Sequence, residues 1–195
     1  MKRIAIAGGI GAGKTAVTDY LMEHGYVVVD ADVVARKVVE PGEPAWRALV
    51  DAFGRAICQA DATLDRQFLA DVVFNDAAAL RRLNAVTHTA IGVEIVRELD
   101  TAQAKAAFVA LPLFRAEHRS IFSLDAAWSV QADPEIAVQR LLNYRGFTEA
   151  DARARIANQI TNDEREALVD HVIWNNDGLE ALFEKLQSLL DEEGL

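Results

Sequence analysis

Short apolar runs bounded by turn residues predict five β-strands along the chain. The runs are rich in Val, Ile, Phe and Ala, and Gly, Asp, Asn or Pro stands at their ends, which is typical of strands buried on both faces of a parallel sheet. Helical patterns separate the runs, so the order of the elements predicts an α/β fold. The predicted strands are Lys2–Ala7, Tyr26–Val29, Phe108–Phe114, Ala127–Gln131 and Asp170–Trp174.

Helical spacing interrupts this alternation between the second and third strands. Pro44 suits the first turn of a helix that reaches Phe53, and Asp65 and Asp76 are candidate N-caps of two further helices, which end near Phe74 and Leu99. The stretch from about 60 to 100 is therefore predicted to be a helical insertion that covers a substrate. The last predicted helix, Leu179–Leu190, has a leucine-rich apolar stripe.

A second helical region lies between strands four and five. Five arginines are spread through residues 133–170 of an otherwise acidic chain: Arg140, Arg145, Arg153, Arg155 and Arg165. One interpretation is a lid that closes over a nucleotide and neutralises a transferring phosphoryl group. The alternative is a solvated helix face with ordinary ion pairs. The predicted organisation is a core of residues 1–59, 101–132 and 168–195, a substrate subdomain at about 60–100, and a lid at about 133–167.

Composition narrows the classes of partner. The 195-residue chain has a net charge of −10, with 30 acidic and 20 basic residues, which disfavours non-specific binding to nucleic acid or to an anionic membrane. It has one cysteine, Cys58, so no intrachain disulfide can form. No apolar run approaches the roughly 20 residues of a membrane span, and the N-terminal apolar run is too short for a signal peptide. We expect a cytoplasmic protein, and the sequence predicts no oligomeric state.

The run from Gly8 to Thr15 (GGIGAGKT) fits the P-loop pattern G-x-x-x-x-G-K-[ST]. It lies between the first predicted strand and a predicted helix, Ala16–Glu23, so backbone N–H groups and the helix dipole point at one anion site. Lys14 can reach the β- and γ-phosphates, and the Thr15 hydroxyl is a ligand for Mg²⁺. A chance match, or a loop that no longer binds nucleotide, is the alternative. The predicted nucleotide-binding residues of the loop are Gly8, Gly9, Gly11, Ala12, Gly13, Lys14, Thr15 and Ala16.

A second acidic element follows strand two. In an extended chain Asp30 and Asp32 would face the same side, at the carboxyl ends of the strands where α/β proteins bind ligands. One or both carboxylates would organise Mg²⁺ and an acceptor hydroxyl; the alternative is a helix cap and a solvated acid. The third predicted strand has no terminal Asp, which disfavours motor ATPases.

A set of motifs, in order along the whole chain, resembles the dephospho-coenzyme A kinase family. The resemblance implies a P-loop kinase fold with a five-stranded parallel sheet, a helical substrate domain and a lid, and transfer of the γ-phosphate of ATP to the ribose 3′-hydroxyl of dephospho-CoA. The motifs are GGIGAGKT, DADVVARKVVEPG, LDRQFLADVVFND with LNAVTH, LPLF, RGFT with RIANQ, and HVIWNNDG.

The resemblance also implies roles for single residues. Asp32 would act at the acceptor hydroxyl and, with Thr15, at Mg²⁺, and Lys14 would be catalytic. The lid residues Arg140 and Arg145 would also be catalytic. Asn175 and Asn176 would lie near the adenine of ATP. The substrate-facing residues would be Arg66, Phe74, Asn75, His88 and Gln159.

Several positions depart from the family pattern. Ala7 replaces a threonine, Ala16 replaces the second hydroxyl after the lysine, Thr89 replaces a proline, and Glu117 lies one residue late. Because Lys14, Thr15 and Asp32 are retained, we expect phosphoryl transfer itself to be retained, and the resemblance favours a dephospho-CoA kinase. The alternatives are a related kinase for another nucleoside or small alcohol, and a catalytically weak nucleotide-binding regulator.

Overall fold

The computed structural model describes residues 1–74 and 76–195. The chain divides into two compact units, one of residues 1–30 and 101–195 and the other of residues 31–100. The second unit takes in two helices that precede the insertion predicted at about 60–100. The division into core, substrate subdomain and lid remains a prediction.

A five-stranded sheet forms the centre of the first unit. Its strand order is β2-β3-β1-β4-β5, and every neighbouring pair is parallel, which confirms the predicted sheet. The third strand ends at Ala110, earlier than predicted, because Leu111 donates the last bond to Ile6 (3.0 Å) and Pro112 has no N–H to continue. The strands are β1 Lys2–Gly8, β2 Val27–Asp30, β3 Ala106–Ala110, β4 Ala126–Gln131 and β5 His171–Trp174.

Helices α1 and α10 pack on the sheet through a continuous apolar core. Trp128 and Phe108 of the sheet and Leu21, Leu182 and Leu186 of the helices are fully buried in it, each contributing about 1.5–3 kcal/mol of transfer free energy. The short α6 was not predicted. The helices of this unit are α1 Lys14–Glu23, α6 Glu117–Ile121, α7 Pro134–Arg145, α8 Glu149–Ala157, α9 Asn162–Glu166 and α10 Leu179–Glu192.

Helices α7 and α8 form a hairpin with its own small apolar cluster. Val138, Leu141 and Ala152 are buried there, and Ile10 packs against them. Ile10 belongs to the loop after β1. This hairpin, which is the N-terminal part of the predicted lid, therefore contacts the glycine-rich loop. Next along the chain, α9 starts with a capping box between Thr161 and Glu164.

In the described residues of the unit 31–100 the regular elements are helices, apart from a short 3₁₀ turn at Arg55–Ile57 and one isolated antiparallel bridge between Cys58 and Leu64. Both predicted caps are confirmed: the Asp65 carboxylate accepts from Phe68 N–H (2.9 Å), and that of Asp76 accepts from Ala78 and Ala79 N–H (2.8 and 3.0 Å). None of the helices in the described ranges has the length and apolar composition of a membrane span. The helices of the unit of residues 31–100 are α2 Ala31–Lys37, α3 Pro44–Phe53, α4 Arg66–Phe74 and α5 Ala77–Thr101.

Candidate active site

The glycine-rich loop follows the central strand β1, where the order of the strands along the chain switches from one side of the sheet to the other. β1 is central and pairs with β3 on one side and β4 on the other, which opens the crevice where α/β sheets bind ligands. The loop runs directly from Gly8, the last residue of β1, to Lys14, the first residue of α1. Its backbone N–H groups therefore lie at a helix N-terminus, the arrangement that binds phosphate.

Two glycines of the loop cannot carry a side chain. Gly11 has φ of 76°, and a β-carbon there would lie 2.9 Å from the Ala137 carbonyl oxygen. Gly13 has φ of 103°, and its β-carbon would overlap the side-chain amide of Asn175. Both residues have left-handed backbone conformations in which L side chains are strained. The close approach of α7 and of Asn175 thus requires glycine at these positions.

Asn175 and Arg140 brace the helix end of the loop. The Asn175 side chain is 2% exposed; its Nδ2 donates to the Ala12 carbonyl (2.8 Å) and its Oδ1 accepts from Arg140 Nη2 (3.1 Å). Arg140 Nη1 also donates to the Gly11 carbonyl at 3.5 Å. Two residues that the motifs predicted separately, one in the lid and one near adenine, are therefore joined at the loop.

A cavity of about 780 Å³ opens beside this brace. Gly13, Arg140, Asn175 and Asn176 are among the residues that line it. The Asn176 side chain holds the start of α7, because its Oδ1 accepts from Asp133 N–H at 2.9 Å. The volume of the cavity lies in the range of small-molecule binding sites, and the cavity ends at the helix end of the loop.

Gln159 contacts the other end of the loop. Its Oε1 accepts a hydrogen bond from Ile10 N–H at 2.9 Å. The side-chain carbonyl oxygen of Gln159 thus already accepts from one N–H donor of the loop, and a phosphate oxygen would compete for the same N–H. This is the most direct contact between the predicted lid and the P-loop backbone.

The lid arginines fall into two groups. Arg153 bonds to Glu135 (2.7 Å) and Glu149 (2.9 Å), and Arg155 stacks over Phe147, so both belong to a solvated helix face. Arg145 is exposed at the end of α7 and makes no hydrogen bond or ion pair within the described ranges. Arg140 and Arg165 instead lie against the glycine-rich loop.

Arg165 is one of the five arginines in the predicted lid region, but it was not among the predicted site residues. It lies in the segment Asn162–Glu166 (NDERE), where an arginine among acidic residues is typical of a solvated face. In the structure it is 7% exposed. Only the fold, which returns α9 to the ends of β1 and β4, could reveal this burial.

The side chains of Lys14 and Thr15 are available to bind a ligand. Lys14 is half-buried and Thr15 exposed at the start of α1, and within the described residues neither side chain makes a hydrogen bond or ion pair. Their polar atoms remain accessible to a ligand at the loop. The same ranges hold no cluster of three or more His, Cys, Asp or Glu side chains able to bind a metal without other ligands.

The expected extended geometry of Asp30 and Asp32 is wrong. Asp30 is the last residue of β2, but α2 begins at once with Ala31, so Asp32 lies in the first turn of that helix. Their side chains therefore do not alternate as in a strand. The exposed Asp32 carboxylate instead lies at the positive end of α2, where the helix dipole favours its charge.

Apart from Gln159, the predicted substrate-facing residues belong to the unit of residues 31–100. Arg66 begins α4 and is exposed, Phe74 ends the same helix with 86% of its surface exposed, and His88 is exposed on α5. Among the described residues Arg66 and His88 make no side-chain hydrogen bond or ion pair. Asn75 lies outside the described residues.

Comparison with known proteins identifies the family. Residues 2–181 match the family model described as dephospho-CoA kinase. A dephospho-CoA kinase of Streptomyces avermitilis is 45% identical over 184 residues, which cover 93% of this chain and 89% of the relative. The chain belongs to the dephospho-CoA kinase family. It is therefore a transferase of the kinase class, and family membership implies ATP as the phosphoryl donor.

Solved structures show the same fold. A Thermus thermophilus protein is 28% identical, with a TM-score of 0.77 over 98% of this chain and 97% of its own. A dephospho-CoA kinase from Campylobacter jejuni is 21% identical, with a TM-score of 0.65 over 98% and 96% of the two chains. At that identity the second likeness concerns the fold alone. Both cover the P-loop unit and the helical unit.

The structure shows the surroundings of three departures from the family pattern. Ala7 is 2% exposed at the end of β1, and Ala16 packs against the main apolar core. Methyl groups suit such surroundings, because a hydroxyl there needs its own partner. The Thr89 hydroxyl donates to the Ala85 carbonyl one turn earlier (2.8 Å), so α5 continues without a break.

Proposed function

We propose that this protein transfers the γ-phosphoryl group of ATP to the ribose 3′-hydroxyl of dephospho-CoA, giving coenzyme A and ADP, the last step of coenzyme A biosynthesis. The observation that carries the proposal is the P-loop built at the switch point of the sheet in a chain that belongs to the dephospho-CoA kinase family.

The P-loop would bind the phosphates of ATP through its backbone N–H groups and Lys14. The accessible Nζ of Lys14 stabilises charge that develops on the phosphoryl oxygens during transfer. Gly8, Gly9, Gly11, Ala12, Gly13, Thr15 and Ala16 form the rest of the cradle. The cavity beside Asn175 and Asn176 suits the adenosine portion of ATP.

The residues present fit Mg²⁺ as a co-substrate ion. The Thr15 hydroxyl makes no internal hydrogen bond, and Mg²⁺ typically takes one or two protein oxygens and completes its octahedron with water and substrate phosphates. Thr15 and Asp32 would hold it. When bound, Mg²⁺ neutralises charge on the phosphate oxygens.

Asp32 would orient the acceptor hydroxyl and accept its proton. In the transfer, the bond between the 3′-oxygen and the γ-phosphorus forms as the bond from that phosphorus to ADP breaks. The hydroxyl proton passes to the Asp32 carboxylate. Such a loose transition state needs the hydroxyl in line more than it needs a strong base.

The acceptor side and the lid complete the proposed site. Arg66, Phe74, Asn75, His88 and Gln159 would bind dephospho-CoA, while Arg140 and Arg145 would neutralise the transferring group. Closure of residues 133–167 would exclude water, which otherwise hydrolyses ATP. Amide exchange in this segment should slow when an ATP analogue and acceptor are both present, and equal protection with and without them would contradict the lid.

We place the reaction in the cytoplasm and expect no nucleic acid or membrane partner. A net charge of −10 disfavours polyanionic partners, and a chain with one cysteine is suited to a reducing compartment.

An acceptor screen tests the function. ADP release should be measured with ATP and, in turn, dephospho-CoA, adenosine, AMP, shikimate and pantetheine, with the Lys14→Ala variant as the background. We expect acceptor-dependent release with dephospho-CoA alone or with a kcat/KM far above the others. A higher kcat/KM for another alcohol would indicate a related kinase, and nucleotide binding without turnover would indicate a regulator.

A further inference from the structure

Arg165 is a buried cation without a counter-ion. Its guanidinium donates to two neutral oxygens, Ile160 O (3.0 Å, from Nη2) and Asn162 Oδ1 (3.0 Å, from Nη1). In the part of the chain that the structure describes, no carboxylate lies within ion-pair distance of it. Burial lowers the pKa of the Arg165 guanidinium. A charge buried in this way carries a desolvation cost that an anion would offset.

The guanidinium lies against the start of the P-loop. A β-carbon on Gly9 would lie 3.4 Å from Arg165 Nη2 and 3.6 Å from its Cζ. Arg165 also lines two cavities that flank this point, one of about 420 Å³ that includes Gly9 and Ile10 and one of about 350 Å³ that includes Ala7 and Gly8. The positive charge therefore lies between two cavities that open on the adjacent glycines Gly9 and Gly8.

The arrangement of the site sets which phosphate would reach it. The cavity of about 780 Å³ lies at the helix end of the loop, beside Gly13 and Asn175. A nucleotide with its nucleoside bound there would extend its phosphates along the loop towards Gly9, so its last phosphate would lie nearest Arg165. Arg140, by contrast, donates to Gly11 and Asn175 near the helix end.

Hydrogen bonds hold the guanidinium in place before a ligand arrives. Asn162, which accepts from Arg165, donates through Nδ2 to the Ala132 carbonyl (3.0 Å), and Gln131 Nε2 donates to the Asn162 carbonyl (3.2 Å). Both partners lie at the end of β4, beside the strand that carries the P-loop. A donor fixed in this way stabilises developing charge without reorganisation during the reaction.

From this position we infer that Arg165 binds the terminal phosphate of a nucleoside triphosphate on the P-loop, a role that the motifs give only to Arg140 and Arg145. The inference rests on the proposed kinase function for the identity of the nucleotide. It assigns to α9 a second, preorganised cation at the end of the loop where the phosphoryl group leaves the donor.

The test compares two nucleotides that differ by that phosphate. The affinities of a non-hydrolysable ATP analogue and of ADP should be measured by calorimetry for the wild type, Arg165→Met and the control Arg153→Met, whose arginine is exposed and paired with glutamates. Arg165→Met should weaken the analogue by roughly 10- to 100-fold, the range of a hydrogen bond to a charged group. ADP should change less than about threefold, and the control should change neither affinity.

Two further variants separate binding from folding. Arg165→Lys keeps the charge but not the planar fork, and should lose part of the analogue affinity while ADP binding is retained. In Arg165→Ala, added guanidinium ion should restore part of the ADP release rate, whereas equal sodium chloride should not. If Arg165→Met does not fold, the Arg165→Lys comparison decides. Equal losses for the analogue and ADP, or no loss for either, overturn the inference.

The nucleotide comparison needs no acceptor. If dephospho-CoA is not the substrate but the difference between the analogue and ADP holds, the proposed acceptor fails and the role of Arg165 stands. If the wild type binds neither nucleotide, both fail.

Discussion

The surroundings of the P-loop and the helical unit of residues 31–100 use their polar side chains differently. At the loop, Arg140, Asn175 and Gln159 bond directly to its backbone. In the helical unit the hydrogen-bonding side chains cap helices or join them, while Arg66 and His88 are exposed. The proposed nucleotide-binding loop is thus held by internal bonds before a ligand binds, whereas the proposed acceptor-binding side chains Arg66 and His88 are exposed and would be ordered by a substrate.

This difference predicts that substitutions in the two regions change different kinetic parameters. Changes at the loop should lower kcat or nucleotide affinity, because the preformed donors act on the transferring group. Changes on the exposed face of the helical unit should raise the KM for the acceptor alone, because they remove binding that is equal in ground and transition states.

The largest effect is expected at Lys14. Lys14→Ala removes a charge that we propose to bind the phosphates and that makes no internal bond, so the fold should persist while kcat falls by roughly 10³-fold or more. Lys105→Ala, which changes an exposed lysine before β3, is the matched control. Steady-state ADP release and thermal unfolding measure the two quantities, and near-normal turnover in the folded Lys14→Ala protein would falsify the assigned role.

Asp32→Asn tests the carboxylate that we propose to orient the acceptor hydroxyl. Asn keeps the size of the side chain but loses the charge that orients the hydroxyl, so kcat should fall by roughly 10²-fold while ATP affinity stays within a few-fold. Loss of the favourable dipole interaction at α2 should cost only about 0.3–1 kcal/mol of stability. Asp30→Asn is the control with the milder effect. A larger loss of kcat in Asp30→Asn than in Asp32→Asn would reverse the assignment.

Arg66→Ala tests the exposed side chains of the helical unit that we propose to bind the acceptor. We expect the KM for dephospho-CoA to rise about tenfold, the scale of one charge-assisted hydrogen bond, with kcat and the KM for ATP nearly unchanged. Arg47→Ala removes another exposed arginine of the same unit and should have no effect. A fall in kcat equal to that in kcat/KM would show that the acceptor side also acts in the transition state.

The smallest effect concerns the ion pairs that join α2 to α5. Arg97 and then Lys37 bond to Glu94 and lower the pKa of its carboxyl to about 2. Since the folded-state pKa lies below the usual value, this stabilisation is present above about pH 4 and is lost as the pH falls towards 2.

Glu94→Gln should therefore lower the unfolding free energy at pH 7 by about 1 kcal/mol or less, because its partners are half exposed. The difference from wild type should shrink between pH 4 and pH 2. Urea unfolding over this range measures it, with Glu40→Gln as the control. A difference that does not depend on pH would argue against the charge as its cause.

The sequence predicted the parts of the fold that depend on local patterns. The glycine-rich loop, the parallel sheet and the caps Asp65 and Asp76 all follow from residue order and spacing. The end of strand three was missed because its apolar run continues past Pro112, where hydrogen bonding stops. The position of Asp32 was wrong because α2 starts without a break in the sequence.

The parts of the site that depend on long-range contacts could not be predicted. Asn175 lies far along the chain from Ala12, and no spacing rule reveals that its amide closes the loop. The burial of Arg165 likewise depends on how α9 returns to the sheet. A motif locates a residue in the sequence, but only the packed elements decide which charge is solvated and which one faces the ligand.

The most direct test of the account is the position of the transferred phosphate. A single turnover with ATP and dephospho-CoA should be stopped and the product analysed by mass spectrometry and by phosphorus–proton correlation NMR. The account predicts one added phosphoryl group, coupled to the proton on the ribose 3′-carbon, and one equivalent of ADP. A phosphate on any other oxygen, or ADP formed without a phosphorylated acceptor, would contradict it.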